Sequence, residues 1–366
     1  MAILKCTSID SGTGFSLSED MLTEIILRLP VKSMARSKCV AKNWCAIISD
    51  GYLRRRLPLH LSVVYFPDNP ARGNAPRFAC AASGDSHLLE DCDLGFSPFR
   101  EGDVVCDACN GLLLFRSAGT PRFYVVDPVT RRWVALPRPS RDARLSMLVF
   151  DPFSSRHYHV INFTGWHERG AAVEVFSSET WAWTARDVEF GVPASSLSAA
   201  SMHFHDGAVY MLASDPHRVV RMDVAPDAEL ACTTVELPEP MDGGDGRVAH
   251  SGGQLHYVTR DGGLLKVWVL EGQWRLKHAV KVDDVVEGGC RGSEIRFLAL
   301  HPEKDSVYMS SPWKLVEYDL TKKEITGAWE FGGKDQTDEK NRVVKTWLVP
   351  SSWYLSDSFA SGHVQC

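Results

Sequence analysis

The sequence lacks the segments that carry a chain into or across a membrane. Its first residues, MAILKCTSIDSGTG, have neither the basic start nor the apolar run of about 7 residues or more that is typical of a secretory signal. No stretch approaches the ~18 apolar residues of a transmembrane helix. We therefore expect a protein of the cytosol, the nucleus or both, with no membrane partner.

Long runs of like charge are also missing. The formal net charge is −6, and only Arg54, Arg55 and Arg56 form a cluster of one sign. A chain that binds nucleic acid normally presents a basic patch or stripe. The composition therefore argues against a nucleic-acid partner.

Paired cysteine spacing is absent as well. Ten cysteines are scattered from Cys6 to Cys366, in a chain large enough to fold without disulfide staples. We therefore expect all of them to be free thiols. Cys106 and Cys109 have the spacing of half a zinc site, but no second pair lies at zinc-finger distance.

Two His-x-His pairs could also bind a metal. His157 with His159, and His203 with His205, each project from one face of a predicted strand. Neither pair has a third ligand at a linked spacing, so strand packing is the favoured interpretation. We expect neither a metal site nor a cofactor.

Signatures of common enzymes are absent too. The sequence contains no G-x-S-x-G turn, no Walker-type glycine loop, no H-E-x-x-H helix and no S-x-D-x-G-x-x-W box. We therefore expect a binding protein that has no catalytic residues.

The segment from Leu17 to Leu53 has helical periodicity. Leu22, Ile25, Ile26 and Leu29 recur at helical spacing. Ser18 is a suitable N-cap, and Pro30 ends the helix by biasing Leu29 out of the α region. A second helix is predicted over Ser33 to Lys38, and a third one carries Val40, Trp44, Ile47 and Ile48. Three short helices bury little surface, so this unit requires a partner.

From about Leu59 the periodicity becomes that of strands, and a pattern returns every ~40 to 50 residues, as in propeller blades. The clearest unit runs from Val104 to Pro137 and reads as four short strands joined by tight turns. Five such units are recognisable. Strand-like segments also precede the first unit (LHLSVVYF) and follow the last one (VVKTWLVP), so a sixth blade built from both ends is expected. The segments 67–98, 243–246 and 332–341 are predicted to be loops.

The N-terminal segment LSEDMLTEIILRLPVKSMARSKCVAKNWCAIISDGYL resembles a plant F-box. The family's Leu-Pro stands at Leu29-Pro30, and its Cys-Val-x-K-x-W signature spans residues 39–44. The resemblance implies docking on a Skp-type adaptor, which in turn binds a cullin. The residues expected to bind the adaptor are apolar: Leu17, Leu22, Ile25, Leu29, Pro30, Val31, Val40 and Trp44. An ordinary helical hairpin is the alternative.

The following unit, CNGLLLF with YVVDPVTRRWVALP, resembles the kelch-like F-box-associated repeats of plant proteins. Cys109, Asn110, Asp127, Pro128 and Trp133 are among the residues that carry this likeness. Each of them also has a structural explanation, because the Asn-Gly and Asp-Pro turns fix hairpins and Trp133 fills space between blades.

Together these observations predict an α+β chain of two domains. Residues 1–14 are expected to be disordered, 15–57 to form a three-helix F-box, 58–355 to form an all-β propeller of six four-stranded blades, and 356–366 to be a disordered tail.

Target binding is expected on one face of the propeller. In an up-and-down blade, the turn between the second and third strands shares a face with the connection to the next blade. That face receives side chains of the kind enriched at binding hot spots: Arg138, Arg141, Arg144, Trp166, His167, Arg169, Arg260, Trp313 and Lys314. The alternative is that each aromatic folds back onto its neighbouring blade.

The F-box resemblance implies a substrate-recognition subunit of a Skp-cullin-F-box ubiquitin ligase, with the propeller binding a target protein of unknown identity. Two alternatives stay open from the sequence. One is a ligase-linked propeller lectin or small-molecule sensor, and the other is a propeller enzyme that carries an F-box.

Overall fold

A computed structural model describes two compact units, Met1–Pro58 and Leu59–Cys366. We call them the helical unit and the β-domain. The residues that the structure describes are 18–29, 37, 40–49, 60–67, 76–81, 89–100, 102–120, 122–128, 130–143, 145–152, 154–224, 230–240, 246–282, 295–331 and 343–351. Within these ranges, no helix combines the length and the apolar character needed to cross a membrane.

The helical unit contains helices α1 (Glu19–Leu27) and α2 (Lys42–Ser49), which contact each other. The Ser18 hydroxyl accepts a hydrogen bond from the backbone N–H of Met21 at 3.3 Å, so the predicted N-cap is confirmed. The predicted middle helix, Ser33 to Lys38, lies outside the described residues apart from Ser37. The predicted disordered ends, residues 1–14 and 356–366, also lie outside them.

The β-domain contains six four-stranded antiparallel sheets among its described residues. Sheet I combines β1 (His60–Pro67), β2 (Arg77–Cys80) and β3 (Leu89–Asp93) with the last strand, β24 (Val343–Ser351). Sheet II comprises β4 (Val104–Cys109), β5 (Leu112–Arg116), β6 (Phe123–Asp127) and β7 (Arg132–Ala135). Sheet III comprises β8 (Leu145–Val149), β9 (His159–His167), β10 (Gly170–Ser177) and β11 (Ala182–Glu189).

Sheet IV comprises β12 (Leu197–His205), β13 (Ala208–Ser214), β14 (His217–Asp223) and β15 (Cys232–Glu236). Sheet V comprises β16 (Arg247–Ser251), β17 (Gln254–Asp261), β18 (Leu264–Glu271) and β19 (Gln273–Lys281). Sheet VI comprises β20 (Arg296–Leu300), β21 (Ser306–Ser310), β22 (Lys314–Asp319) and β23 (Glu324–Glu330). Sheets II to VI correspond to the five predicted units, so the prediction of four strands in each is confirmed.

Sheet I joins the two ends of the β-domain. β1 pairs antiparallel with β24, from His60 opposite Ser351 to Tyr65 opposite Thr346. The prediction that these two strand-like segments meet is therefore confirmed. The prediction of a loop over residues 67–98 is wrong, because β2 and β3 lie there and complete the sheet. In β3, pairing with β2 overrides the weak strand propensity of the acidic segment LEDCD.

Apolar clusters join each sheet to its neighbours in a closed cycle. The cluster around Leu113 and Phe115 joins sheets I and II, and the one around Phe123 and Val160 joins sheets II and III. Equivalent clusters join III to IV, IV to V, V to VI and VI back to I. Trp133 packs in the cluster between sheets I and II, as predicted. Because each sheet buries both of its faces in this way, the six sheets stabilise one another.

The first turn of several sheets has the geometry predicted from its residues. Asn110-Gly111, Asp206-Gly207 and Gly252-Gly253 all have positive φ angles, between 42° and 92°. Residues of these types adopt that conformation at low cost, and it matches the twist of a two-residue hairpin.

Polar contacts join the first strands of neighbouring sheets. The Asp107 carboxylate on β4 accepts from the backbone N–H of Leu148 on β8 at 2.8 Å, and Asn110 Nδ2 donates to the Phe150 carbonyl at 2.7 Å. Between sheets V and VI, the Ser251 hydroxyl donates to the His301 carbonyl at 2.7 Å. These contacts fix the first strand of one sheet, or the residues that follow it, to the next sheet.

A histidine group makes the equivalent contact between sheets IV and V. His203 Nε2 lies 2.8 Å from His250 Nδ1, and the His205 ring stacks on His250 at 4.2 Å between centroids. Burial lowers the pKa of His203 to about 3 and that of His250 to about 4, with the neighbouring imidazoles as a second cause. Both rings are therefore neutral at pH 7.

The histidine pair predicts an acid-sensitive stability. In the unfolded chain each imidazole has an ordinary pKa near 6.5, so below that pH the unfolded state binds more protons than the folded state. The free energy of unfolding should fall between pH 7 and pH 5, by roughly 1 to 2 kcal/mol for each ring. Urea unfolding of wild type and of a His203→Gln/His250→Gln variant at both pH values measures this, and the variant should lose less stability on acidification.

His157→Gln is the matched control, because His157 is exposed and should change nothing. Burial raises the pKa of the Asp107 carboxyl to about 7, which opposes the histidine effect, but it does so equally in all three proteins. Equal pH dependence in the double variant and in wild type would contradict the assignment.

Candidate functional site

The helical unit exposes three apolar side chains, two on α1 and one just before α2, which together we call the apolar patch. Met21 is 56% exposed, Ile25 is 41% exposed, and Val40, just before α2, is 67% exposed. Met21 and Ile25 are one helical turn apart and therefore share a face of α1. Exposed apolar side chains on so small a unit are typical of a surface that a partner covers.

The other residues expected to bind the adaptor are less exposed or lie outside the described part of the chain. Leu22 is buried, as are Ile26 and Ile48, so these side chains form the inner faces of the two helices. Leu29 and Trp44 are half-buried. The remaining predicted residues lie outside the described part of the chain: Leu17, Pro30 and Val31.

In the β-domain, one face is built from the second-to-third strand turns and the connections between sheets. We call it the connector face. In sheet III, the carbonyls of Glu168 and Arg169 accept from the backbone N–H groups of Ala194 and Phe190, at 2.9 and 2.8 Å. In sheet V, the Gly263 carbonyl accepts from the backbone N–H of Val282. In sheet VI, the Pro312 carbonyl accepts from Val343, and the Trp313 carbonyl accepts from Phe331. Turns and connections therefore lie side by side on this face.

Four of the predicted target-binding residues are exposed around sheet III. Arg138 and Arg141 belong to the connection between β7 and β8, and His167 and Arg169 belong to the turn between β9 and β10. Asp142 and Glu168 are exposed beside them, so the local charge is mixed. Arg144 lies outside the described residues.

The ring of Trp166 packs on the domain. Its ring stacks on Phe163 at 5.4 Å between centroids, with an interplanar angle of 8°, and lies 5.9 Å from the ring of Phe190. It packs against the cluster between sheets III and IV. This is the alternative in which the aromatic folds back onto the domain, so Trp166 offers little surface to a target.

The predicted residues of sheets V and VI do not join the group around sheet III. Arg260 is half-buried, and its guanidinium lies 3.5 Å from the Ile295 carbonyl. Lys314 forms an ion pair with Glu330 at 3.5 Å, and Trp313 is half-buried. Since sheets V and VI do not neighbour sheet III in the cycle, the predicted residues form separate groups.

The connection that carries Arg138 and Arg141 is held by a buried carboxylate. Glu174 on β10 is 3% exposed and accepts from the hydroxyl and the backbone N–H of Ser140. At its other end, the connection is bound by Arg116, whose guanidinium donates to the Ala143 carbonyl at 2.8 Å. The exposed arginines therefore project from an anchored segment.

The candidate metal ligands make contacts within the protein. The thiol of Cys109 lies 3.4 Å from the Phe150 carbonyl, and that of Cys106 lies 3.7 Å from the Val104 carbonyl. Among the described cysteines, Cys45, Cys109 and Cys232 are free thiols. In the described ranges, no group of three or more His, Cys, Asp or Glu side chains could hold a metal ion.

Sequence reasoning missed Met21, Glu174 and Ser140. Met21 could have been found from its spacing of four residues to Ile25. Glu174 had a signal too, because it is the one charged residue in the otherwise apolar strand GAAVEVFS. A charge in such a strand needs a partner when it is buried. Ser140 had no signal, since its partner lies on the next sheet.

Comparison with known protein families gives two matches. Residues 15–56 match the family model for the F-box domain, and residues 96–352 match the model described as "F-box protein At3g26010-like, beta-propeller". The second match covers more than half of the chain and includes sheets II to VI.

Similar proteins come from Arabidopsis thaliana. The putative F-box/kelch-repeat protein At1g15680 is 27% identical over 85% of this chain and 83% of its own length. The putative F-box protein At5g52610 is 25% identical over 90% of this chain and 96% of its own. Among solved structures, a chain in the nidogen/laminin complex aligns with a TM-score of 0.47 at 9% identity, covering 80% of this chain and 98% of that chain.

The packing of Trp166 predicts that it supports stability. Trp166→Ala should lower the Tm of the β-domain by about 4 °C, because removing a half-buried indole leaves Phe163 and Phe190 without their contact. Differential scanning calorimetry of the full chain measures this. Arg169→Ala, which truncates an exposed side chain of the same face, is the matched control and should leave Tm unchanged. An unchanged Tm in Trp166→Ala would show that the ring is free for a ligand.

Proposed function

We propose a function for this chain on the premise that it belongs to the family of F-box proteins with an At3g26010-like β-propeller. It acts as the substrate-recognition subunit of a Skp-cullin-F-box ubiquitin ligase, in the cytosol, the nucleus or both. The helical unit docks on a Skp-type adaptor and through it on a cullin. The six sheets are the blades of one propeller, which binds the target protein. The chain supplies no catalytic residue.

The observation that carries this proposal is the exposed apolar patch of Met21, Ile25 and Val40 on a small helical unit that matches the F-box model. A unit with so few buried residues gains stability when a partner covers such a patch. The proposal also includes three predicted docking residues that lie outside the described part of the chain: Leu17, Pro30 and Val31.

The propeller contributes by holding the target close to the ubiquitin-charged enzyme of the ligase. Proximity alone raises the effective concentration of the target lysines, so no chemistry is required of the propeller itself. Arg138, Arg141 and Arg169 are the best-placed target contacts, since they are exposed and project from an anchored connection and a tight turn. Guanidinium groups bind carboxylate or phosphate groups through charge-assisted hydrogen bonds, which favours an acidic or phosphorylated target segment.

The docking proposal predicts the effect of charges in the apolar patch. An Ile25→Glu/Val40→Glu variant should lose adaptor binding at least 100-fold, because two carboxylates would be desolvated in the interface. Both positions are exposed, so the fold should be unaffected. Isothermal titration with a purified Skp-type adaptor measures the affinity.

The matched control for docking is Leu276→Glu, which places the same charge at an exposed leucine of the β-domain. It should bind the adaptor like wild type. Wild-type affinity in the Ile25→Glu/Val40→Glu variant would reject the proposed docking surface.

Target binding is predicted to depend on the three arginines around sheet III. An Arg138→Ala/Arg141→Ala/Arg169→Ala variant should keep its Tm and its adaptor binding but recover few of the proteins that wild type captures under proteasome inhibition. Quantitative mass spectrometry of the captured proteins measures this.

Lys322→Ala/Lys323→Ala/Arg275→Ala serves as the control with equal loss of charge. These residues lie in the turn between β22 and β23 and on the outer strand β19, away from the connector face. Equal recovery of targets by the two variants would show that the arginines of the connector face have no special role.

A further inference from the structure

The contact between Ser140 and Glu174 joins an exposed segment to a buried charge. Glu174 accepts from the Ser140 hydroxyl, from the Ser140 N–H at 3.1 Å and from the Arg141 N–H at 3.4 Å. Glu174 is 3% exposed, whereas Ser140 and its neighbours Arg138 and Arg141 are exposed. Three hydrogen-bond donors in the connection between β7 and β8 are therefore satisfied by the Glu174 carboxylate alone.

Glu174 also has a second possible donor that it does not use. Asn162 lies directly opposite Glu174 in the pairing of β9 with β10. Side chains opposite one another in an antiparallel pair have Cβ atoms about 4.5 to 5.5 Å apart. Asn162 is fully buried, and neither atom of its amide group has a hydrogen-bond partner within the described part of the chain. An unpaired buried amide is costly, so a Glu174 side chain released by Ser140 would gain a bond from Asn162.

We propose that Ser140 is a phosphorylation site for an arginine-directed serine/threonine protein kinase, and that the phosphate breaks its contact with Glu174. The segment has the features that such a kinase requires. Ser140 lies in an exposed connection without regular secondary structure, with Arg138 two residues before it and Arg141 directly after it. In this region the sequence reads LPRPSRDAR.

The modification step uses ATP. The Ser140 hydroxyl oxygen attacks the γ-phosphorus, and the bond from that phosphorus to the β–γ bridging oxygen breaks, so ADP leaves. The hydroxyl proton passes to the catalytic base of the kinase. The product carries a charge of about −1.5 to −2 where a neutral donor stood before.

A phosphate at Ser140 cannot remain in contact with the buried Glu174 carboxylate. Both groups are then negative, and the hydroxyl no longer has a proton to donate. Glu174 turns to Asn162, and the connection leaves the sheet with Arg138 and Arg141 free to pair with the phosphate. The consequence for target capture rests on the proposed function, since these two arginines belong to the proposed target contacts.

The site itself is tested by reacting the full chain with ATP and the catalytic subunit of cyclic-AMP-dependent protein kinase. A peptide of residues 136–144 is treated in parallel, and Ser140→Ala is the control. Mass spectrometry should find phosphate on Ser140 of the chain and none in the control. Phosphate on the peptide but not on the chain would overturn the proposal, because Ser140 would be inaccessible. No phosphate on either would overturn the assignment to an arginine-directed kinase.

The repulsion is tested with Ser140→Asp, and Ser140→Asn is its uncharged control of the same shape. Ser140→Asp should lower Tm by about 2 to 4 °C more than Ser140→Asn does, and should speed hydrogen exchange at residues 138–143. In a Glu174→Gln background, this difference should fall to less than half. Equal Tm values for the two variants, or a difference that Glu174→Gln leaves unchanged, would overturn the switch.

These measurements involve no target, so their outcome does not depend on the proposed function. A chain that is phosphorylated and loosened as described but still captures its targets would count against the proposed function alone. Target capture by the phosphorylated and unmodified chains, compared side by side, therefore separates the two proposals.

Discussion

The antiparallel pairing of β1 with β24 is the interaction on which the rest of the β-domain depends. It places the first and last strands of the domain in one sheet, from His60 opposite Ser351 to Tyr65 opposite Thr346. Without β24, β1 would present an open edge, and the cluster that joins sheet VI to sheet I would lose Val343. Each of the other sheets packs against a neighbour on both faces. The pairing of β1 with β24 therefore completes the burial of the faces of all six sheets.

The repeating part of the fold is predictable from sequence because it is encoded locally. Strand alternation, the Asn110-Gly111 type of turn and the recurring unit length identify sheets II to VI without knowledge of their neighbours. The N-cap at Ser18 is equally local. Sheet I is harder to predict, because β2 and β3 have few residues of high strand propensity. β3 pairs with β2, and β2 pairs with β1, the strand that pairs across the whole domain. Tertiary pairing there overrides local preference.

The surfaces were less predictable, because periodicity selects a stripe of residues but not the side of it that faces the interior. On α1, Leu22 and Ile26 face inward, while Met21 and Ile25 are exposed. Trp166 is predicted to lie in a turn, yet it lies on β9 and its ring stacks on Phe163. The role of Glu174 depends on Ser140, which lies in the connection between β7 and β8 and far from Glu174 in sequence. The local sequence shows that Glu174 needs a partner but does not identify which residue that partner is.

The exposed arginines of the connector face are held in place only if the ring of six sheets is closed. Urea unfolding of the chain truncated after Phe331, which removes β24, tests this most directly. If closure holds the ring together, the truncated chain loses the single cooperative transition of the β-domain and recovers it when a synthetic peptide of residues 341–355 is added. A truncated chain that unfolds in one transition at the wild-type midpoint, with or without the peptide, would contradict it.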